Sequence, residues 1–281
     1  MITTDFLGLL DRFNLIMKKR VTSSYSGSRR SVARGRGTTL LDHRIYADGD
    51  DFRLIDWKVY ARTDNLYVKR FEEERNLAVH ILVDNSNSMN YGKPSKFDYS
   101  AMIGVGFAYL ALKENEKFQF STFSDMLEIF QPKRGMGQLA SMIDYLNHAK
   151  AKGKSAFLDS VTQYKKLLTT RSLVIIASDF LFDLYEIQNA LFSLGKHDLV
   201  VVQVLDRTEK EIDFSGDVKL KDSESQQELR TFVSPRLTQE YILRLKNHSQ
   251  EIEETCMKMN AKYYQITTDM PIFDAFYTML R

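Results

Sequence analysis

The sequence predicts an α/β protein with a mostly parallel, doubly wound sheet flanked by helices, plus an N-terminal extension and a small β hairpin insertion. Three observations predict it. Residues 79–83, 173–177 and 199–205 are short apolar runs rich in β-branched side chains. Such runs are strands buried on both faces, the condition of parallel strands covered by helices. Helical patterns separate them at intervals that suit βαβ units. Finally, 281 residues that are 43% hydrophobic suffice for one large domain and a smaller appendage.

Composition narrows the function. A net charge of +2 excludes a chain that is basic or acidic overall. The single cysteine, Cys256, forbids an internal disulfide and fits a reducing compartment. No apolar run approaches the ~18 residues of a membrane span. Thr3, Thr4 and Asp5 stand where a signal peptide places basic charge and then an apolar core. A soluble cytoplasmic protein is expected.

The elements follow in order. Phe6, Leu9, Leu10, Phe13, Ile16 and Met17 have amphipathic helical spacing over residues 5–20. Residues 21–43 are Ser-, Gly- and Arg-rich, and Lys18 to Arg36 holds seven basic residues and no acidic one. This reads as an arm for anions or as a solvated loop. The loop is favoured because Tyr25 is the one aromatic residue among these basic residues, too few to stack successive bases, and nucleic acid is not expected as a partner. Residues 44–75 are dense in paired charges around Trp57 and read as a polar scaffold of Arg–carboxylate pairs packed on it. Gly49 between aspartates marks a turn. Asp50, Asp51 and Asp56 could instead be ligands if they converge.

Ser95-x-x-Asp98 resembles a capping box and opens a helix to about Asn115. Strands follow at 118–123 and 126–130, then helices at 139–146 and 157–168. The strand at 173–177 ends at Ser178-Asp179, and the strand at 199–205 ends at Asp206. Polar residues 207–233 fit a hairpin. Ser234-Pro235 is an N-cap with proline at N1, opening a helix to about Met259. A last strand covers 263–266, and Asp269 is expected to cap the terminal helix. The domain expectation is residues 1–76 for the helix, arm and charged segment, and 77–281 for the sheet domain with its hairpin at 207–233.

The chemistry concentrates where strands end. Asp84 closes the run Val79-His80-Ile81-Leu82-Val83, and Ser86 and Ser88 follow at alternate positions. Open α/β folds bind ligands outside the carboxyl ends of their strands. Asp179 lies after a second buried strand, and the Gly153-Lys154-Ser155 turn adds a hydroxyl. If the strands are neighbours, these groups converge at one rim. Two carboxylates and up to three hydroxyls, with water, suit Mg²⁺ or Mn²⁺. Few charged ligands would leave the ion electrophilic, with a position open to a carboxylate from another molecule. A lone D-x-S-x-S string also makes an ordinary turn.

The Asp84-x-Ser86-x-Ser88 segment resembles the metal-ion-dependent adhesion site of von Willebrand factor A domains. The resemblance implies metal contacts from Ser86 and Ser88, a hydroxyl from a later loop at Ser155 (where threonine is usual) and Asp179, often through water, beside Asp84. The preceding stretch narrows the match. Arg44-x-Tyr46-x-x-Gly49-Asp50-Asp51-x-Arg53-x-Ile55-Asp56-Trp57, Ala61-Arg62 and Val68-Lys69-x-Phe71-x-x-Glu74-Arg75 resemble the signature of the domain of unknown function 58 family. That resemblance, over about residues 20–281, implies a protein-binding partner or adaptor of a MoxR-type AAA+ ATPase, in assembly or remodelling of protein complexes.

An alternative is a magnesium-dependent phosphohydrolase with Asp84 as nucleophile. Asp179-x-x-x-Asp183 resembles the magnesium motif of the haloacid dehalogenase class. That class usually has a second carboxylate where this chain has Ser86, and helix capping explains Asp183 simply. His80 reads as a satisfied core residue. No H-x-x-x-H pair exists, so zinc is not expected. Gly153-Lys154-Ser155 lacks the glycine five residues upstream that a phosphate loop needs. The expected function is binding, with no catalytic residues.

Overall fold

The computed structural model describes residues 6–11, 34–72, 78–130, 135–212, 214–221, 223 and 228–280. The chain divides into two compact units, residues 16–76 in one and residues 1–15 with 77–281 in the other.

The smaller unit centres on an antiparallel pair, β1 (Arg34–Ile45) and β2 (Tyr67–Glu72). The Arg- and Gly-containing stretch expected to be loop is therefore strand from Arg34 onward. Cross-strand backbone bonding, which needs no apolar pattern, decides it. The basic residues at 18–30 lie outside the described residues. Between the strands come a short 3₁₀ turn and helix α2 (Trp57–Thr63). The charged segment works locally. Asp51 accepts from the Arg53 amide, and Asp56 accepts from the Lys58 and Val59 amides as the α2 cap. Asp56 also meets His43 Nε2 at 2.9 Å, and Arg44 pairs with Asp50. The three aspartates that could have been ligands thus serve as caps and ion-pair partners. Trp57 corrects the expectation of a charged scaffold packed on it. It is 60% exposed and touches Tyr60 edge-on, because α2 buries none of its residues.

The larger unit carries the sheet, with strand order β10-β7-β6-β3-β4-β5. Its members are β3 (Val79–Asp84), β4 (Phe118–Phe123), β5 (Leu127–Phe130), β6 (Leu173–Ser178), β7 (Asp198–Leu205) and β10 (Lys262–Thr267). All pairings are parallel except β4 with β5. The expected mostly parallel α/β architecture is what the chain forms. Every residue of β3 is buried, His80 and Asp84 included, as expected of a mostly apolar strand covered on both faces.

Helices α3 (Lys96–Lys113), α4 (Met136–His148), α5 (Phe157–Lys165), α6 (Leu184–Ser193), α8 (Pro235–Lys258) and α9 (Ile272–Leu280) accompany the sheet. Ser95 caps α3 by accepting the Asp98 amide at 3.0 Å. Ser234 caps α8, with Pro235 at its first turn. Gly106 lets α3 pack tightly: a Cβ there would lie 2.0 Å from the Phe276 ring of α9. The hairpin forms as β8 (Gly216–Lys221) with β9 (Glu228–Val233), after the one-turn helix α7 (Arg207–Lys210).

Two placements differ from expectation. Asp269 does not cap α9, which starts at Ile272; the Pro271 carbonyl accepts the Asp274 and Ala275 amides instead. The N-terminal helix, described over residues 6–11 as α1, belongs with the sheet unit. Its Phe6 and Leu10 are buried, Phe6 packs on Phe273 with ring centroids 6.0 Å apart, and Asp11 pairs with Lys113.

Candidate metal centre

β3 sits between β4 and β6, so the segments after β3 and β6 leave the same end of the sheet side by side. The chain leaves β3 at Asp84 and turns through a 3₁₀ segment, Asn87–Asn90. The neighbouring 152–155 loop is bonded to it by backbone. The Asn87 amide donates to the Gly153 carbonyl at 3.0 Å, and the Lys152 amide to the Asn85 carbonyl at 2.9 Å. Gly153 has φ of +75°, and a Cβ there would lie 2.8 Å from the Asp125 carboxylate. The positive φ favours glycine at that turn, and a side chain there would also have to displace the Asp125 carboxylate.

These constraints bring the sequence-predicted residues together. Asp84 is fully buried. Its Oδ1 accepts the Ser86 amide at 2.8 Å, while Oδ2 accepts the Ser178 hydroxyl at 2.6 Å and the Ser155 hydroxyl at 3.2 Å. Ser86 and Ser88 hydroxyls lie 3.1 Å apart. Burial pushes the Asp84 carboxyl above the ordinary carboxylate range, and the negative charge of Asp179 pushes it the same way. Asp179 is itself buried. Its Oδ1 accepts the Leu181 amide at 3.2 Å and its Oδ2 accepts the Lys96 ammonium at 2.8 Å.

The donor set fits a hard divalent ion. Oxygens bound to Mg²⁺ at 2.0–2.1 Å on adjacent octahedral vertices lie about 2.9 Å apart, close to the Ser86–Ser88 spacing. Between Asp84 and Ser86 in sequence, the buried side-chain carbonyl of Asn85 has no hydrogen-bond partner among the described residues. Among the described residues, no group of three or more His, Cys, Asp or Glu side chains could hold a metal.

Sequence reasoning missed Ser178, Lys96 and Glu209. Ser178 was visible beside Asp179 as a strand-end hydroxyl. Lys96 is the first residue of α3, and lysine there ordinarily signals solvent. Here it is fully buried, with its ammonium 2.8 Å from Asp179 and 2.6 Å from Glu209 of α7. Burial alone would lower its pKa, but the two carboxylates outweigh burial and raise it above the ordinary lysine value.

Other candidates resolve structurally. Asp183 is the α6 cap, accepting the Tyr185 and Glu186 amides at 2.8 and 3.3 Å. His80 is buried with Nδ1 2.8 Å from the Tyr164 hydroxyl. Cys256 is buried, and burial pushes its thiol up to about 12, which makes it a poor nucleophile. Among the described residues, no helix is long and apolar enough to cross a membrane.

The chain is similar to an uncharacterized protein of Mycobacterium tuberculosis and to one of Mycobacterium bovis. Each is 23% identical over 266 residues, covering 92% of this chain and 84% of the relative. Among solved structures it is similar to the conserved hypothetical protein BatB from Bacteroides thetaiotaomicron, at 13% identity and TM-score 0.44, over 73% of this chain and 98% of that one. It is also similar to the SpRpn10 VWA domain, at 14% identity and TM-score 0.44, over 72% and 94% of the two chains. The model of the family described as protein of unknown function DUF58 matches residues 42–251, and the chain belongs to that family.

Proposed function

We propose that the chain is a metal-ion-dependent protein-binding module of the von Willebrand factor A type. Ser86, Ser88 and Ser155 supply hydroxyls to Mg²⁺ or Mn²⁺, Asp84 anchors that hydroxyl set, and Asp179 contributes through water. The observation that carries the reading is the meeting of three segments at Asp84, which accepts the Ser155 hydroxyl from before α5, the Ser178 hydroxyl at the end of β6 and the backbone amide of Ser86, whose hydroxyl lies 3.1 Å from that of Ser88. The bound ion would supply an electrophilic position for a carboxylate of another protein. The chain's own residues hold the hydroxyls in place and keep the charge count low. From the family resemblance, the partner is proposed to be a MoxR-type AAA+ ATPase or its client, with the chain acting in assembly or remodelling and working in the cytoplasm. Both aspartates already accept backbone and side-chain donors, an arrangement that favours binding over nucleophilic attack.

Calorimetric titration of Mg²⁺ and Mn²⁺ into the wild type, Asp84→Ala and Asp179→Ala tests this, with a phosphatase assay on the same samples. Binding lost in Asp84→Ala and weakened in Asp179→Ala, without turnover, is expected. Metal-dependent turnover that disappears in Asp84→Ala would establish the phosphohydrolase alternative instead.

A further inference from the structure

The strongest feature outside the hydroxyl cluster is the buried ammonium beside it. Lys96 has no exposed surface, and its side chain is held between two carboxylates contributed by different loops. Asp179 follows β6, and Glu209 lies in α7 after β7. Glu209 is itself held in place: its Oε2 accepts the Asp206 amide at 2.9 Å, closing a capping box. Asp206 in turn accepts the Thr268 hydroxyl at 2.9 Å. The ammonium therefore sits at a fixed point, one carboxylate away from the candidate ion position.

A fixed positive charge there has a direct electrostatic effect. It repels a divalent cation, and it takes up one oxygen of a carboxylate that would otherwise draw the cation in. Both Asp179 oxygens have partners within the chain, Leu181 for one and Lys96 for the other. Glu209 shares the ammonium and so controls how strongly Lys96 holds Asp179.

Granting the metal centre proposed above, we propose that Lys96 is a positioning residue that keeps the intrinsic affinity for a divalent ion low. The ion then binds firmly only together with an acidic group of the partner, whose negative charge replaces what Lys96 cancels. Glu209 tunes this device. Its removal leaves the ammonium wholly to Asp179 and weakens ion binding further. Removing Lys96 and Glu209 together takes away one positive and one negative charge and frees Asp179.

The test is Mn²⁺ titration followed by electron paramagnetic resonance on the full chain. Its variants are Glu209→Gln, the double variant Lys96→Met/Glu209→Gln, and Asp84→Ala as the reference for loss of the site. The double variant avoids stranding both carboxylates without a counter-charge, which would threaten folding. Expected are weaker binding in Glu209→Gln and binding about tenfold or more tighter in the double variant. A purely structural lysine would not give tighter binding on removal. If the double variant binds Mn²⁺ no more tightly than the wild type while Asp84→Ala still abolishes binding, Lys96 has no such role and the metal centre stands. If Asp84→Ala binds Mn²⁺ as the wild type does, the metal centre itself is refuted, and the role of Lys96 with it.

Discussion

Replacing Ser178 with alanine tests the buried bonding around Asp84. Ser178 and Asp84 are both fully buried, and the hydroxyl donates to the carboxylate at 2.6 Å. The same oxygen accepts the Phe180 amide at 3.0 Å. A hydrogen bond to a charged group contributes about 1.5–3 kcal/mol, and a buried donor left unpaired costs about 1–3 kcal/mol. The two losses share one atom and relax together, so a destabilisation of about 3 kcal/mol is expected rather than their sum. The cost must also depend on pH. Burial and Asp179 raise the folded-state pKa of Asp84, so the folded state holds its proton to higher pH than the unfolded chain does. Stability from this group is therefore present at low pH and is lost as pH rises through the folded-state value. Removing a donor to the charged form raises that value further, and Ser178→Ala should be more destabilising at pH 8 than at pH 6. Urea unfolding in the presence of a chelator measures both, read by far-ultraviolet circular dichroism because the single tryptophan, Trp57, lies in the smaller unit. A change below about 0.5 kcal/mol, the range of ordinary surface substitutions, would refute the reasoning.

Other outcomes follow from single contacts. Gly106→Ala gains about 1 kcal/mol of helix propensity but drives a methyl into the Phe276 ring; overpacking of about 1–3 kcal/mol or more should win. Gly137→Ala in α4 meets nothing within 4 Å and should not destabilise; paired urea melts separate the two. Burial lowers the His80 pKa from 6.5 to about 4, so the neutral form is favoured in the fold. Stability from this group is full above pH 6.5 and falls toward pH 4, by about 2 kcal/mol at pH 5; His80→Gln should flatten that part of the stability–pH curve. Trp57→Ala should change stability by less than about 0.5 kcal/mol, because the ring is 60% exposed.

The parts of the fold that were legible in the sequence are those where burial is written in side-chain type. β3, β6 and β7 are mostly apolar and almost wholly buried, as strands covered on both faces are. The same logic found Asp84 and Asp179, since a carboxylate ending such a strand interrupts its apolar run. Ser95, Asp183 and Ser234 were legible because a cap is a local bond between near neighbours. Lys96 was not legible. Its burial depends on Asp179 and Glu209, which lie 83 and 113 residues away, and nothing near it in sequence distinguishes it from a solvated lysine. β1 was missed because backbone pairing with β2 leaves no mark in a Gly- and Arg-containing stretch. Trp57 misled because a lone tryptophan suggests burial, whereas its helix turns no face inward.

The hydrogen bonds that hold Asp84 also bear on the order of events during synthesis. Ser155 is 71 residues downstream of Asp84, and Ser178 is 94. At about 5–20 residues per second, a ribosome adds Ser178 roughly 5 to 19 seconds after Asp84. Throughout that interval the carboxylate lacks these two hydroxyl donors, and β3 lacks β6, its partner on one side. A nascent chain can pair β3 with β4 early, but the rim around Asp84 closes only once β6 has emerged.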